Sequence, residues 1–189
     1  MNRHLMNDKD NKKLIGLCGW TNSGKDAMAS VLRERHGWDT MAMADPMKEM
    51  LIAIDPIFHD PPMWLHDNSS PLENLEAWKR RGLFSVRQKL QNLGQVMRDE
   101  NPGYWVSKMI PRIEASEGPT IVTDLRYANE AAMIDILGGT IVHVDREGCG
   151  PINDHPSEEG TAICIERANF TLTNNKDIEH LVAQFLTCV

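Results

Sequence analysis

One short segment, Gly19-Trp20-Thr21-Asn22-Ser23-Gly24-Lys25-Asp26, limits what this chain can fold into more than any other. It follows the pattern G-x-x-x-x-G-K. An apolar run, Lys13 to Cys18 (KLIGLC), precedes it and reads as a short buried strand. A stretch from Lys25 to about His36 follows, in which Met28, Val31, Leu32 and Arg35 share one helical face, the arginine through its aliphatic stem. Strand, glycine-rich turn and helix in that order are what phosphate binding demands. The glycines let the backbone wrap an anion with several N–H groups turned inward. The helix presents its N-terminus to the anion, and the lysine reaches the outer phosphates. A plain glycine turn with a surface lysine would need neither flanking element. Asp26 stands where serine or threonine is usual. Its carboxylate is a hard oxygen ligand suited to magnesium, directly or through water. It also suits the first turn of a helix, and the two roles are compatible.

The rest of the chain repeats the alternation of strand and helix. Asp39 to Ala44 (DTMAMA), Thr120 to Thr123 (TIVT, ending at Asp124), Thr140 to Val144 (TIVHV) and Phe170 to Thr173 read as strands. Pro46 to Ile54 suits a short helix with a first-turn proline. A helix from Ser85 to about Arg98 carries Val86, Leu90, Leu93 and Met97 on one face. Asn101-Pro102 opens another, with Trp105, Val106, Met109, Ile110 and Ile113, kinked at Pro111. Tyr127 to Leu137 is helical and stops at Gly138-Gly139, and Asp177 to Leu186 is the last helix. This order predicts a three-layer α/β/α fold, with a parallel sheet of about five strands covered on both faces. The 189 residues fit one domain spanning 1–189. Three stretches stand outside the pattern: a polar leader (1–12), a proline-rich excursion that begins at Asp55 and extends to 79, and a loop (146–160) rich in glycine and proline. Excursion and loop are candidate flap and lid.

Charge placement adds candidates. Asp124 ends an apolar strand, at the edge where ligands gather in open α/β sheets, and can hold magnesium through water. Capping the next helix is its plainer role. Arg126 can clamp phosphate, and Arg146, opening the glycine-rich loop, can neutralise charge in phosphoryl transfer. Arg87, Gln91, Gly94 and Arg98 form one helical stripe beside the apolar one, suited to a cleft wall or to a solvated face. His143 alternates with Val142 and Val144 and reads as a satisfied strand histidine. His59 and His66 match no metal spacing. The net charge of −7 argues against broad affinity for a nucleic-acid backbone. The four cysteines, 18, 149, 164 and 188, form no C-x-x-C pair. Their scatter suggests reduced thiols in a cytosolic setting. No apolar stretch is long enough to span a bilayer.

With these residues in view, the chain resembles the bacteriophage deoxynucleoside monophosphate kinases of the phosphate-loop kinase superfamily. The marks are LIGLCGWTNSGKDAMA, ADPMKEML, RQKLQNLGQVMRDENPGYWV, IVTDLRYANEAAMIDILGGTIVHVDR, HPSEEG and FTLTNN, from Leu14 to about Leu186. The G-K-D ending is itself a mark of that family. Phosphomevalonate kinase shares a similar loop and is the nearest rival; a nucleotide-binding regulator without catalysis is a further one. The resemblance implies an ATP site at Gly19, Asn22, Ser23, Gly24, Lys25 and Asp26, and Mg2+ held by Asp26 and Asp124. It implies Asp124 and Arg126 beside the reacting phosphates, Arg146 from a lid, and acceptor contacts by Lys48, Arg87, Gln91, Arg98 and Arg126. The expected substrates are ATP and a deoxynucleoside monophosphate in the (host) cytoplasm, with no nucleic acid or membrane partner. Related enzymes are often dimers; the base, the sugar and the oligomeric state stay open.

Overall fold

The computed structural model describes residues 13–59, 70–151 and 156–189. The leader expected at 1–12 lies outside them, as do Trp64, His66 and His155. The chain groups into two compact units, one of residues up to Met43 and from Ile110 onward, the other Ala44–Met109.

The first unit carries the sheet. Its strands are β1 (Leu14–Cys18), β2 (Asp39–Ala42), β3 (Thr120–Leu125), β4 (Thr140–Asp145) and β5 (Phe170–Thr173). All neighbours are parallel, in the order β2-β3-β1-β4-β5. The central strand β1 is buried at every residue, as a strand covered on both faces must be. Its Ile15 and Leu17 join Ile121, Val142, Val144 and Leu172 beneath helices α1 (Lys25–His36) and α8 (Ile178–Cys188). Met28, Leu32, Leu181 and Phe185 fill that layer, with Trp38 edge-on to Phe185 at 5.3 Å. Such a ring pair adds about 0.5–1.5 kcal/mol beyond its buried area. Arg35, expected on the inner face of α1, is exposed and pairs with Glu179 at 2.6 Å. Helix α6 (Ala128–Ile136) approaches the sheet at Gly16, where a Cβ would lie 2.5 Å from Leu125 Cδ1 and 2.8 Å from Ile134 Cγ1. Helix α7 (Pro156–Glu166) takes up residues 156–160 of what reads as a loop at 146–160, so the lid expectation is corrected there; residues 152–155 lie outside the described residues. From β1 the chain goes to the edge strand β2, returns to β3 beside β1, and then crosses to β4 and β5 on the other side. The reversal puts a topological switch beside the end of β1, where α/β sheets bind ligands.

The second unit is helical. It comprises α2 (Asp45–Ile54), α3 (Pro71–Arg81), α4 (Val86–Glu100) and the start of α5 (Tyr104–Ala115). Met47, Leu51, Phe58, Leu75, Trp78, Val86, Leu90 and Trp105 make its core, with Phe58 stacked on Trp78 at 5.4 Å. The expected excursion 55–79 is corrected at both described ends. Pro56–Phe58 is a 3-10 turn, and α3 is a regular helix. Pro71 sits in its first turn, where the missing N–H costs nothing. The Ser70 hydroxyl accepts from Glu73 N, and the Glu73 carboxylate accepts from Ser70 N at 2.8 Å. Ser-Pro-x-Glu is thus a helix start and not a break. The expected N-cap Asn101 accepts from Gly103 N at 2.9 Å through its side chain, just ahead of α5.

Candidate functional site

The loop after β1 has the conformation its glycines allow. Gly19 and Gly24 have φ of 138° and 105°, and Asn22 is left-handed at 66°. A Cβ on Gly19 would lie 2.5 Å from the Val144 carbonyl, so only glycine lets the loop approach β4 this closely. Ser23 N donates to Trp20 O at 3.2 Å, closing the turn, and α1 starts at Lys25 with Gly24 as its N-cap. Asp26 is exposed in the first turn and Gly24 holds the cap position.

Lys25 is only 5% exposed. Its ammonium donates to Gly19 O at 2.8 Å, Trp20 O at 2.9 Å and Ser23 Oγ at 3.4 Å. Burial lowers its pKa; the Asp124 carboxylate, then Asp26, oppose the shift, and Arg126 adds to it. Lys25 therefore lies within the electrostatic reach of Asp124, Asp26 and Arg126. Asp124 keeps φ at 61° within β3, a conformation that costs a non-glycine residue roughly 1–3 kcal/mol. It is not a helix cap, since Tyr127 holds that position for α6.

Arg126 lies between two carboxylates, Nη2 at 3.6 Å from Asp124 Oδ1 and Nη1 at 3.9 Å from Glu158 Oε1. Both separations exceed hydrogen-bond length, which leaves the guanidinium loosely held. Its backbone is firmly held. The buried Glu130 carboxylate accepts from Arg126 N at 2.8 Å and Tyr127 N at 3.2 Å. On the other side, α7 packs at Gly160, where a Cβ would collide with the Arg126 carbonyl, and Cys164 Sγ donates to Tyr127 O at 3.5 Å. Residues 156–166 therefore form a wall behind Arg126. Arg146 is exposed and donates from Nη1 to Asn22 O at 3.3 Å, so it already touches the loop after β1.

His143 departs from expectation. It pairs in register with Cys18 and is 7% exposed, yet its Nε2 has no hydrogen-bond partner among the described residues. Burial lowers its pKa; Asp145 opposes this and Lys25 adds to it. It is not the satisfied strand histidine that alternation suggests. The adjacent Cys18 thiol is pushed up to about 12 by burial.

The remaining candidates belong to the helical unit. Lys48 is paired with Glu76 at 3.0 Å and Asp45 at 3.2 Å, so its ammonium already has two anionic partners. On balance these pairings raise its pKa against the opposing effect of burial. Arg87 is exposed, while Gln91 and Arg98 are half-buried on the same stripe of α4. Gly94 between them is buried under Met47, and a Cβ there would meet Met47 Cε at 2.8 Å and Arg98 Nη1 at 3.0 Å. Trp105 Nε1 donates to the Gly94 carbonyl at 3.1 Å. Sequence reasoning missed Glu130, Glu158, Gly160 and Asn174. Glu130 had a local signal, three residues after the cap; the others act across distance.

Residues 65–185 match the family profile of deoxynucleotide monophosphate kinase. A protein of Acanthamoeba polyphaga mimivirus that carries the deoxynucleotide monophosphate kinase name is 30% identical over 192 residues, covering 93% of this chain and 95% of that protein. That alignment extends the likeness beyond the profile to almost the whole chain. The deoxynucleotide monophosphate kinase of Escherichia phage RB69 is 28% identical over 107 residues, 53% of this chain and 43% of that one. Among solved structures, dephospho-CoA kinase from Campylobacter jejuni superposes with a TM-score of 0.53 at 9% identity, over 94% of this chain and 95% of that chain. At that identity the likeness concerns the fold. The chain belongs to the deoxynucleotide monophosphate kinase family and is a kinase of nucleoside monophosphates.

Proposed function

We propose that the chain transfers the γ-phosphoryl group of ATP to the 5′-phosphate of a deoxynucleoside monophosphate, with magnesium, using the loop Gly19–Asp26 as the donor site. The observation that carries this reading is the loop itself: left-handed at Asn22 and Gly24, leading into α1 beside the switch in strand order, with Lys25 buried and in the electrostatic field of Asp124, Asp26 and Arg126. The inward amides and the α1 N-terminus take the ATP phosphates, and Lys25 exchanges its loop carbonyls for phosphate oxygens. Asp26 and Asp124 would hold the magnesium. Among the described residues no three His, Cys, Asp or Glu side chains cluster for a metal. Two carboxylates fit this cation, which keeps waters and substrate phosphates as its other ligands. When bound, it neutralises charge on the β- and γ-phosphates.

An acceptor phosphate oxygen attacks the γ-phosphorus in line as the bond to the ADP oxygen breaks. Protein atoms form no covalent bond. Their part is alignment and neutralisation by Lys25, Arg126 and Arg146. Arg126 suits this because its guanidinium is loosely paired while its backbone is fixed. Arg87, Gln91 and Arg98 would contact the acceptor; their shared stripe on α4 supports this. Lys48 would act there through, or in exchange with, its carboxylate partners. The chain would work in the cytoplasm of a phage host; no described helix is long and apolar enough to cross a membrane.

A coupled ADP-release assay across ribo- and deoxynucleoside monophosphates tests this. Turnover on one or a few deoxynucleotides is expected, falling at least roughly 100-fold in Lys25→Ala with circular dichroism unchanged. Near-normal turnover by that variant would remove the loop from the mechanism. Silence across the panel from a protein that binds ATP would point to an acceptor that is not a nucleotide.

A further inference from the structure

Asn174 lies immediately after β5. Its side-chain Nδ2 donates to the Ser23 carbonyl at 2.8 Å, across 151 positions of sequence. Its backbone N–H donates to the Asp145 carbonyl, at the end of β4, at 2.7 Å. The next residue, Arg146, holds the Asn22 carbonyl at 3.3 Å. Two successive carbonyls of the phosphate loop are therefore held from the C-terminal ends of β4 and β5.

The consequence follows from peptide geometry. A trans peptide is planar, and its C=O and N–H point in opposite directions. Drawing the Ser23 carbonyl toward Asn174 turns the Gly24 N–H away from Asn174. That N–H is one of the donors a helix start leaves without an intrahelical partner. Gly24 is fitted to this arrangement twice: its φ of 105° favours glycine, and a Cβ there would collide with Asn174 Nδ2. The bond thus needs a glycine at 24 and a short amide at 174.

We infer that Asn174 is a positioning residue for the donor phosphates, setting the direction of the Gly24 N–H through the Ser23 carbonyl; this rests on the proposal that the loop binds ATP. Asn174→Asp keeps the size and the backbone bond to Asp145 but cannot donate when ionised. Asn174→Ala removes the amide. Gln184 is the control. From α8 it bonds both Thr173 N at 3.1 Å and Thr173 O at 3.0 Å, steadying the same strand end without touching the loop.

The test is steady-state kinetics with ATP and the best deoxynucleoside monophosphate, together with calorimetric titration of ADP. In both Asn174 variants KM for ATP and Kd for ADP should rise roughly 3- to 10-fold, the loss of one neutral hydrogen bond. KM for the acceptor should change less than about twofold, and Gln184→Ala should match the wild type. If the alanine variant does not fold, the isosteric aspartate variant carries the test. Unchanged ATP affinity in the Asn174 variants, with turnover still lost in Lys25→Ala, would overturn the inference and leave the donor site standing. An equal shift in Gln184→Ala would also overturn it, as softening of the strand end. Turnover retained by Lys25→Ala would remove the donor site and the inference together.

Discussion

Gly160→Ala is the most demanding perturbation that the geometry offers. Gly160 sits in α7, and a Cβ there would fall far inside 3.0 Å of the Arg126 carbonyl oxygen, 3.1 Å from the Arg126 carbonyl carbon and 3.3 Å from Tyr127 Cα. All three atoms are backbone, so no side chain can swing aside. Either α7 or the 126–127 segment must recede by something on the order of 1 Å. The segment resists, because Glu130 holds both of its N–H groups. Overpacking of this kind costs about 1–3 kcal/mol, and the backbone clash argues for the upper end. Replacing a mid-helix glycine by alanine returns about 0.5–1 kcal/mol. The net loss is about 2 kcal/mol, or a melting temperature lower by about 4–8 °C for a chain of this length. Thermal unfolding followed by circular dichroism reads it. Gly150→Ala, where a Cβ meets nothing within 4 Å, should stay within about 0.5 kcal/mol of the wild type. Because Arg126 shares the displaced segment, kcat should fall as well. A Gly160→Ala protein that melts with the wild type and turns over normally would refute the packing of α7 on Arg126.

His143 supplies a pH test. Burial holds its folded pKa below the ordinary value of 6.5, so the folded protein binds fewer protons than the unfolded chain between the two values. Stability from this group is complete above about 6.5 and declines as pH falls through and below it, so Tm should drop more steeply on acidification in the wild type than in His143→Asn; parallel profiles would refute this. The thiols give a second test. Cys18 and Cys164 are buried and pushed up to about 12, whereas Cys149 and Cys188 are partly exposed. Two thiols should react with a thiol reagent at pH 8 in the native protein and four in urea; rapid native labelling of Cys18 would contradict the packing of β1.

Local signals in the sequence make much of this protein legible. A glycine pattern between an apolar strand and a helix placed the tight turn from β1 into α1, because glycine's freedom at positive φ and the exposed start of a helix are short-range properties. Hydrophobic period placed all five strands, and α1 at both ends. Where it failed, another local device was misread: prolines at 56 and 71 suggested a break, although Pro71 with Ser70 and Glu73 starts a helix. What the chain alone could not decide was partnership across distance. Nothing near Asn174 in sequence says that it holds Ser23, nor that Gly160 must be bare to admit the Arg126 carbonyl. Nothing near Lys48 says that Glu76 will neutralise it, and alternation along β4 cannot show that His143 Nε2 is buried without a partner among the described residues. Those facts depend on which elements the sheet order brings side by side. Burial then sets the energy of each unsatisfied group, and that is a property of the packed chain rather than of any residue's neighbours in sequence.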